Sequence, residues 1–192
     1  MYVIFEGIDG AGKSTQIARL AAAYPQAIVT KEPGGTKLGK NLREILLKEN
    51  DLDKRAEILL FLADRAEHFG KIIKPNSNKM ILSDRGFVSG MAYALAGGNF
   101  SFDELLNLNK FALQRNFPQK IVFFKADEST LRSRLGSRTQ MDGIEARGFA
   151  YLLRVQDAME EILQKLDVRY ITIDAAMDEE KITNLIKEFI YK

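Results

Sequence analysis

Gly7-Ile8-Asp9-Gly10-Ala11-Gly12-Lys13-Ser14 is a complete G-x-x-x-x-G-K-[ST] element, and its flanks decide how it is read. Upstream, Tyr2-Val3-Ile4-Phe5 is a short apolar, β-rich run ending at Glu6. Downstream, Ser14 to Ala23 has the pattern of a helix, so the glycines sit on a strand-to-helix turn. Backbone N–H groups of Gly7, Gly10, Ala11 and Gly12 converge there on anionic oxygens without side chains in the way, and the helix adds its positive end. Lys13 is expected to reach the β- and γ-phosphates of a nucleoside triphosphate, Ser14 to ligate Mg²⁺ and Thr15 to border the same site.

Outward from this loop, apolar runs alternate with longer helical patterns. Strands are expected at Tyr2-Phe5, Ala27-Thr30, Met80-Ser83, Ile121-Phe124 and Tyr170-Ile173. Helices are expected at about 13–23, 38–48, 54–72, 88–97, 103–115, 128–136, 146–166 and 178–190. Such alternation predicts an α/β three-layer sandwich, a five-stranded parallel sheet with helices on both faces, whose ligands gather outside the carboxyl ends of the strands. At 192 residues the chain suits one domain spanning 1–192.

Composition narrows the function classes. The chain is 46% hydrophobic and 28% charged, and no run approaches the roughly 18 apolar residues of a membrane span. No membrane partner is expected on that ground, and because the sequence opens directly into a strand, secretion is not expected either. With no cysteine, disulfides and thiolate metal sites are excluded, in keeping with a cytoplasmic location. A net charge of +2 without a basic, aromatic-interleaved stripe argues against a nucleic-acid partner.

Several strand ends carry chemistry-bearing residues. Lys31-Glu32-Pro33-Gly34-Gly35-Thr36 breaks the backbone after the second strand and is either a surface turn or a loop directing Lys31 or Glu32 inward. Arg43, in the next helix, is either a solvated cation or a cleft residue. Phe61 and Arg65 share one helical face, and on pattern alone Phe61 belongs to the core. His68, the sole histidine, lacks any co-ligand and reads as a surface or helix-end residue. Met80-Ile81-Leu82-Ser83-Asp84-Arg85 ends in an acid that approaches a Mg²⁺ shell and a base that projects over the cleft. Arg132, Arg134, Arg138 and Arg147 surround a glycine-containing stretch that reads either as a mobile flap closing cations onto phosphates or as a solvated face.

The Asn-Lys-x-Asp reader of GTP switches is missing, since Asn109-Lys110-Phe111-Ala112 lacks the acid, and a single acid followed by Arg85 suits a second anionic substrate better than an attacking water. Phe5-Glu6-Gly7 through Gln16, Lys31 to Thr36 with Arg43, Leu60 to Arg65, Asp84-Arg85 with Ala92-Tyr93, and Asp142-Gly143-Ile144-Glu145 follow in order over nearly the whole chain. In that ordered set the chain resembles the bacterial thymidylate kinases. The resemblance implies phosphoryl transfer from ATP to dTMP, with Mg²⁺, in a homodimer with a lid over about 134–145. It places Phe61 against thymine, Arg65 at the base's exposed oxygen, Tyr93 at the sugar, Asp9 near its 3′-hydroxyl, and Arg85 and Arg43 on the monophosphate beside Glu32. It makes Arg138 the transition-state cation and Arg134 the adenine-side contact. The chain departs from the family pattern at Gly86, Gly90 and Ala94, and with the base-edge partner absent at Gly90, Ser89 or water is expected to substitute. Another small P-loop kinase and a nucleotide-dependent switch are the competing readings.

Overall fold

The computed structural model describes residues 1–49, 51–98, 100–135 and 148–192. Five strands, β1 (Tyr2–Glu6), β2 (Ile28–Lys31), β3 (Ile81–Asp84), β4 (Lys120–Lys125) and β5 (Arg169–Asp174), form one all-parallel sheet in the order β2-β3-β1-β4-β5. Central strands buried on both faces need continuous apolar runs rather than alternation. Val3, Ile4 and Phe5 of β1 and Ile121 to Phe124 of β4 meet that need and are fully buried. The edge strand β2 does not, and its Val29 is 51% exposed.

The helices are α1 (Lys13–Ala23), α2 (Lys37–Lys48), α3 (Lys54–His68), α4 (Phe87–Ala96), α5 (Phe102–Ala112), α6 (Glu128–Leu135), α7 (Phe149–Lys165) and α8 (Glu179–Tyr191). α1 packs with α8, whereas α4 packs with α3, α5 and α7. Right-handed crossovers in this strand order put those two groups on opposite faces, which gives the three layers. The helix expected over 54–72 is α-helical only to His68. It continues as a π-helical turn, Phe69–Ile73, and a 3-10 turn, Lys74–Asn76, with Pro75 inside the latter. Proline cannot donate to an α-helical ladder, so that ladder does not run through Pro75.

Buried polar side chains tie the layers together. Lys120, at the start of β4, donates from Nζ to the carbonyl oxygens of Phe189 (2.6 Å) and Ile190 (2.7 Å) in the last turn of α8, where carbonyls lack helical partners. Gln16 of α1 donates to the Glu179 carbonyl at 2.9 Å and accepts from Thr183 of α8 at 2.7 Å. Because β1 is flanked by β3 and β4, the chain leaving β1 emerges between their carboxyl ends. That is the crevice in which an open parallel sheet binds its ligands.

Candidate functional site

The loop between β1 and α1 builds the floor of the crevice. Gly7 lies at φ +143°, and a Cβ there would stand 2.7 Å from the Phe124 carbonyl oxygen of neighbouring β4, so only glycine lets the two strand ends come this close. Gly12 takes φ 97° as the N-cap of α1, leaving the first turn's N–H groups without a side-chain cap. Lys13 is 5% exposed and donates from Nζ to the carbonyl oxygens of Gly7 (2.9 Å) and Ile8 (3.0 Å). Burial, reinforced by the charge on Arg85, lowers its pKa to about 8.

A cavity of about 520 Å³ opens over this loop and includes Asp9 to Gln16, Asp84, Arg85 and Arg134 in its lining. Arg134 donates to the carbonyl oxygens of Gly10 (3.2 Å) and Ala175 (2.7 Å), so it bridges the phosphate loop and the β5–α8 connection. Glu179 and Ile182 line the same cavity. Sequence reading missed both, and no motif marks them, since they sit on the first turn of α8, which reaches the cavity only through its packing against α1.

Asp84 and Ser14 meet at the cavity's inner wall, with the Ser14 hydroxyl donating to Asp84 Oδ2 at 3.2 Å. Asp84 Oδ1 is buried without a hydrogen-bond partner. A hydroxyl and a carboxylate with an orphaned oxygen suit Mg²⁺, which takes one or two protein oxygens and completes its shell from phosphates and water. Among the described residues no three acidic or histidine side chains converge into a self-sufficient metal cage.

Arg85 links this cavity to a second one. Its Nη2 donates to Asp9 Oδ1 at 2.7 Å, and its Nη1 donates to the Gly7 carbonyl (2.9 Å) and to Ser89 Oγ (3.0 Å). Ser89 is in turn held by Glu6, which is fully buried at the end of β1 and accepts from both its backbone N–H (3.2 Å) and its hydroxyl. Burial is the largest influence on the Glu6 carboxyl and pushes its pKa up, with Ser89 and Arg85 opposing. Ser89 is thereby engaged by Glu6 and Arg85 while it lines the second cavity.

The second cavity, about 80 Å³, is lined by Asp9, Glu32, Arg43, Phe61, Arg65, Arg85, Gly90 and Tyr93, among others. All seven residues expected on the acceptor side therefore fall around one space. Phe61 is half-buried and turned to this cavity and its extension past Tyr93, which favours the pocket reading over the core. Arg43 donates to the Pro33 carbonyl at 3.2 Å, so it belongs to the cleft rather than to solvent. Arg85 lies over the Tyr93 ring, with Cζ 5.9 Å from its centroid.

The reading of His68 as a surface residue is corrected. It does end α3, but it is fully buried, with Nδ1 2.8 Å from Glu32 Oε1 and Nε2 2.7 Å from Thr30 Oγ1. The other oxygen of Glu32 accepts from Arg65 Nε at 2.8 Å. Arg65 also donates to Asn109 Oδ1 (2.7 Å) and to the Gly86 carbonyl (3.1 Å). Burial alone would raise the Glu32 carboxyl, but Arg65 and His68 outweigh it and hold the pKa below the usual range. Asp64, also buried, accepts from the Gly34 backbone N–H at 3.0 Å and so pins the loop that carries Glu32. Arg138, Arg147 and positions 136–145 of the expected lid lie outside the described residues.

The thymidylate kinase family model matches residues 5–186. A thymidylate kinase of Campylobacter curvus is 57% identical over 192 residues, covering 99% of each chain. One from Campylobacter concisus is 58% identical over 192 residues, covering 99% of this chain and 98% of that one. One from Sulfurovum sp. is 52% identical over 190 residues, covering 99% of each. Among solved structures, the crystal structure of thymidylate kinase from Ehrlichia chaffeensis superposes with a TM-score of 0.77 at 28% identity, covering 100% of this chain and 98% of that one.

Proposed function

The chain belongs to the thymidylate kinase family and catalyses phosphoryl transfer from ATP to dTMP, and from that premise we propose how its residues divide the work. The observation carrying the assignment is Arg85, which borders both cavities and is paired with Asp9 between them. Its guanidinium stays charged because Tyr93, Asp9, Asp84 and Glu6 outweigh the burial that opposes the charge.

ATP lies in the larger cavity, its phosphates on the N–H groups of Gly7 to Thr15 and on Lys13, with Arg134 toward the adenine. dTMP reaches from the part of the larger cavity walled by Asp9, Arg43 and Arg85 into the smaller one, its phosphate between Arg85 and Arg43, its sugar near Asp9 and Tyr93, and its base against Phe61 and Arg65. The acceptor atom is a phosphate oxygen, already anionic, so no strong general base is needed. Catalysis then rests on positioning and charge neutralisation, with Lys13 on the donor side and Arg85 on the acceptor side. Ser14 and Asp84 are the residues that would hold Mg²⁺, which when bound supplies charge neutralisation at the β- and γ-phosphate oxygens.

Both cavities open on one sheet, which supports a single kinase domain. Exposed Leu59 on α3 and Leu108 and Phe111 on neighbouring α5 support a homodimer through that face, Phe111 being 84% exposed. Light scattering tests this, with Phe111→Asp expected to give a monomer. No described helix is long and apolar enough to cross a membrane, and a cysteine-free chain suits the cytoplasm.

A coupled assay of ADP formation with dTMP, dUMP, UMP, CMP, AMP and thymidine tests the substrate, dTMP being expected to give the highest kcat/KM. Arg85→Ala is expected to lower kcat with dTMP by about two to three orders of magnitude while the protein stays folded. Near-wild-type turnover in that variant removes Arg85 from the reaction.

A further inference from the structure

Arg65 differs from Arg85 and Arg43 in how its charge is spent. Its Nε is 2.8 Å from the Glu32 carboxylate, and both side chains are 3% exposed, so the charge is neutralised inside the protein. What such a group offers a ligand is directional N–H donation rather than attraction for a phosphate. Bonds to Glu32, Asn109 and the Gly86 carbonyl use three of its five N–H donors. One donor on each terminal nitrogen is left for a neutral acceptor in the cavity that Arg65 lines with Phe61 and Tyr93.

Two further residues decide where that edge points. The Asn109 amide is held at both ends, its oxygen accepting from Arg65 Nη1 at 2.7 Å and its nitrogen donating to the Leu105 carbonyl one turn back at 2.8 Å. Asn109 is buried on α5, so its amide cannot turn toward water instead. On α4, a Cβ at Gly90 would stand 3.2 Å from Arg65 Nη2, 3.4 Å from Nη1 and 3.7 Å from Cζ. The guanidinium therefore rests in space that a side chain at position 90 would take.

We infer that Asn109 and Gly90 determine the base specificity of the acceptor pocket. Gly90 yields the space for the Arg65 guanidinium, and Asn109 is the positioning residue that aims it at the base edge. A donor-only group in that place favours a pyrimidine with a carbonyl at position 4 and disfavours one with an amine there. This explains how the pocket reads its base without a polar side chain at position 90, and it rests on the proposal that Arg65 faces the base.

The test is steady-state kinetics with dTMP and dCMP at saturating ATP, on the full chain. Asn109→Leu removes the acceptor for Arg65 and is expected to raise KM for dTMP and to reduce the dTMP-over-dCMP preference in kcat/KM, each by about tenfold. KM for ATP is expected to stay unchanged, and Asn109→Asp, which keeps an acceptor oxygen, to restore most of the preference. Gly90→Ala is the second variant, since alanine has the higher helix propensity, and it is expected to shift the preference the same way by crowding the guanidinium. A preference unchanged in both folded variants overturns the inference. Arg65→Ala separates the two levels: if it leaves KM for dTMP unaltered, the underlying placement of Arg65 is wrong. If it raises KM while the Asn109 and Gly90 variants do nothing, only the roles of those two residues are lost.

Discussion

Replacing Glu32 by alanine removes the centre of the buried network behind the acceptor pocket, and the structure sets the size of the loss. The carboxylate serves Arg65 at 2.8 Å through one oxygen and His68 at 2.8 Å through the other. Breaking a buried pair costs about 3–5 kcal/mol, because the stranded charge has already lost its water. At about 2–4 °C per kcal/mol for a chain of this size, the melting temperature of Glu32→Ala should fall by about 6–20 °C. Lys54 and Glu57 form a shorter pair, 2.6 Å, but their side chains are 47% and 24% exposed. Glu57→Ala should therefore cost no more than about 1 kcal/mol, and comparing the two variants separates burial from distance as the controlling factor. Because the network holds the Glu32 pKa below its unfolded value, its contribution is present above the unfolded pKa of about 4.3 and is lost as pH falls through the lower, folded value. Calorimetric melting from pH 7.5 down to 3.5 should show a gap between wild type and Glu32→Ala that is constant at first and narrows below about pH 4. A gap under about 2 °C at pH 7.5 would falsify the reasoning.

Lys13, held near pKa 8 by burial, is kept in its protonated form by bound phosphates, so ATP binding should take up a proton above that pH and weaken as pH rises through it. Titration calorimetry should show affinity about tenfold lower at pH 9 than at pH 7, and Lys13→Arg should abolish the dependence; a pH-independent affinity in the wild type refutes it. Phe61→Ala should raise KM for dTMP about tenfold or more through lost stacking while leaving KM for ATP alone, and an unchanged KM for dTMP returns Phe61 to the core. Gly7→Ala forces a Cβ to within 2.7 Å of a backbone carbonyl at φ +143°, so soluble variant with wild-type ATP affinity would contradict the close approach of β1 and β4.

What was legible in the sequence was whatever is local. The phosphate loop is contiguous, the central strands β1 and β4 are unbroken apolar runs, and the expected starts and ends of all five strands lie within a residue of the observed ones. Asp84 and Arg85 were visible because they end such a run. His68 was not, because its partner Glu32 lies 36 positions away and meets it only once α3 has packed beside β2. A lone histidine without co-ligands carries no local mark of a buried hydrogen bond. Asn109 is hidden for the same reason: in sequence it is one polar residue on the amphipathic α5, and the Arg65 it serves is 44 positions away. Gly90 looked like the loss of a base-edge partner, since a sequence records which side chain is absent but not which distant one fills its space.

The backbone at Arg85 shows how strain and placement are exchanged. It lies at φ 68°, a left-handed conformation that costs a side-chain-bearing residue of order 1–2 kcal/mol. The backbone on either side is secured, with the Arg85 N–H donating to the Phe5 carbonyl at 2.9 Å and the Ser83 hydroxyl donating to the Arg85 carbonyl at 2.9 Å. A residue continuing β3 in extended form would keep to the up-and-down alternation of that strand. The left-handed turn instead lets the guanidinium cross the end of β1 to the Gly7 carbonyl and Asp9, between the two cavities. Glycine would adopt this backbone at lower cost but would bring no charge. An arginine instead sets a cation on the wall of both cavities, as the proposed clamp on the acceptor phosphate requires, and Glu6 through Ser89 fixes that cation from behind.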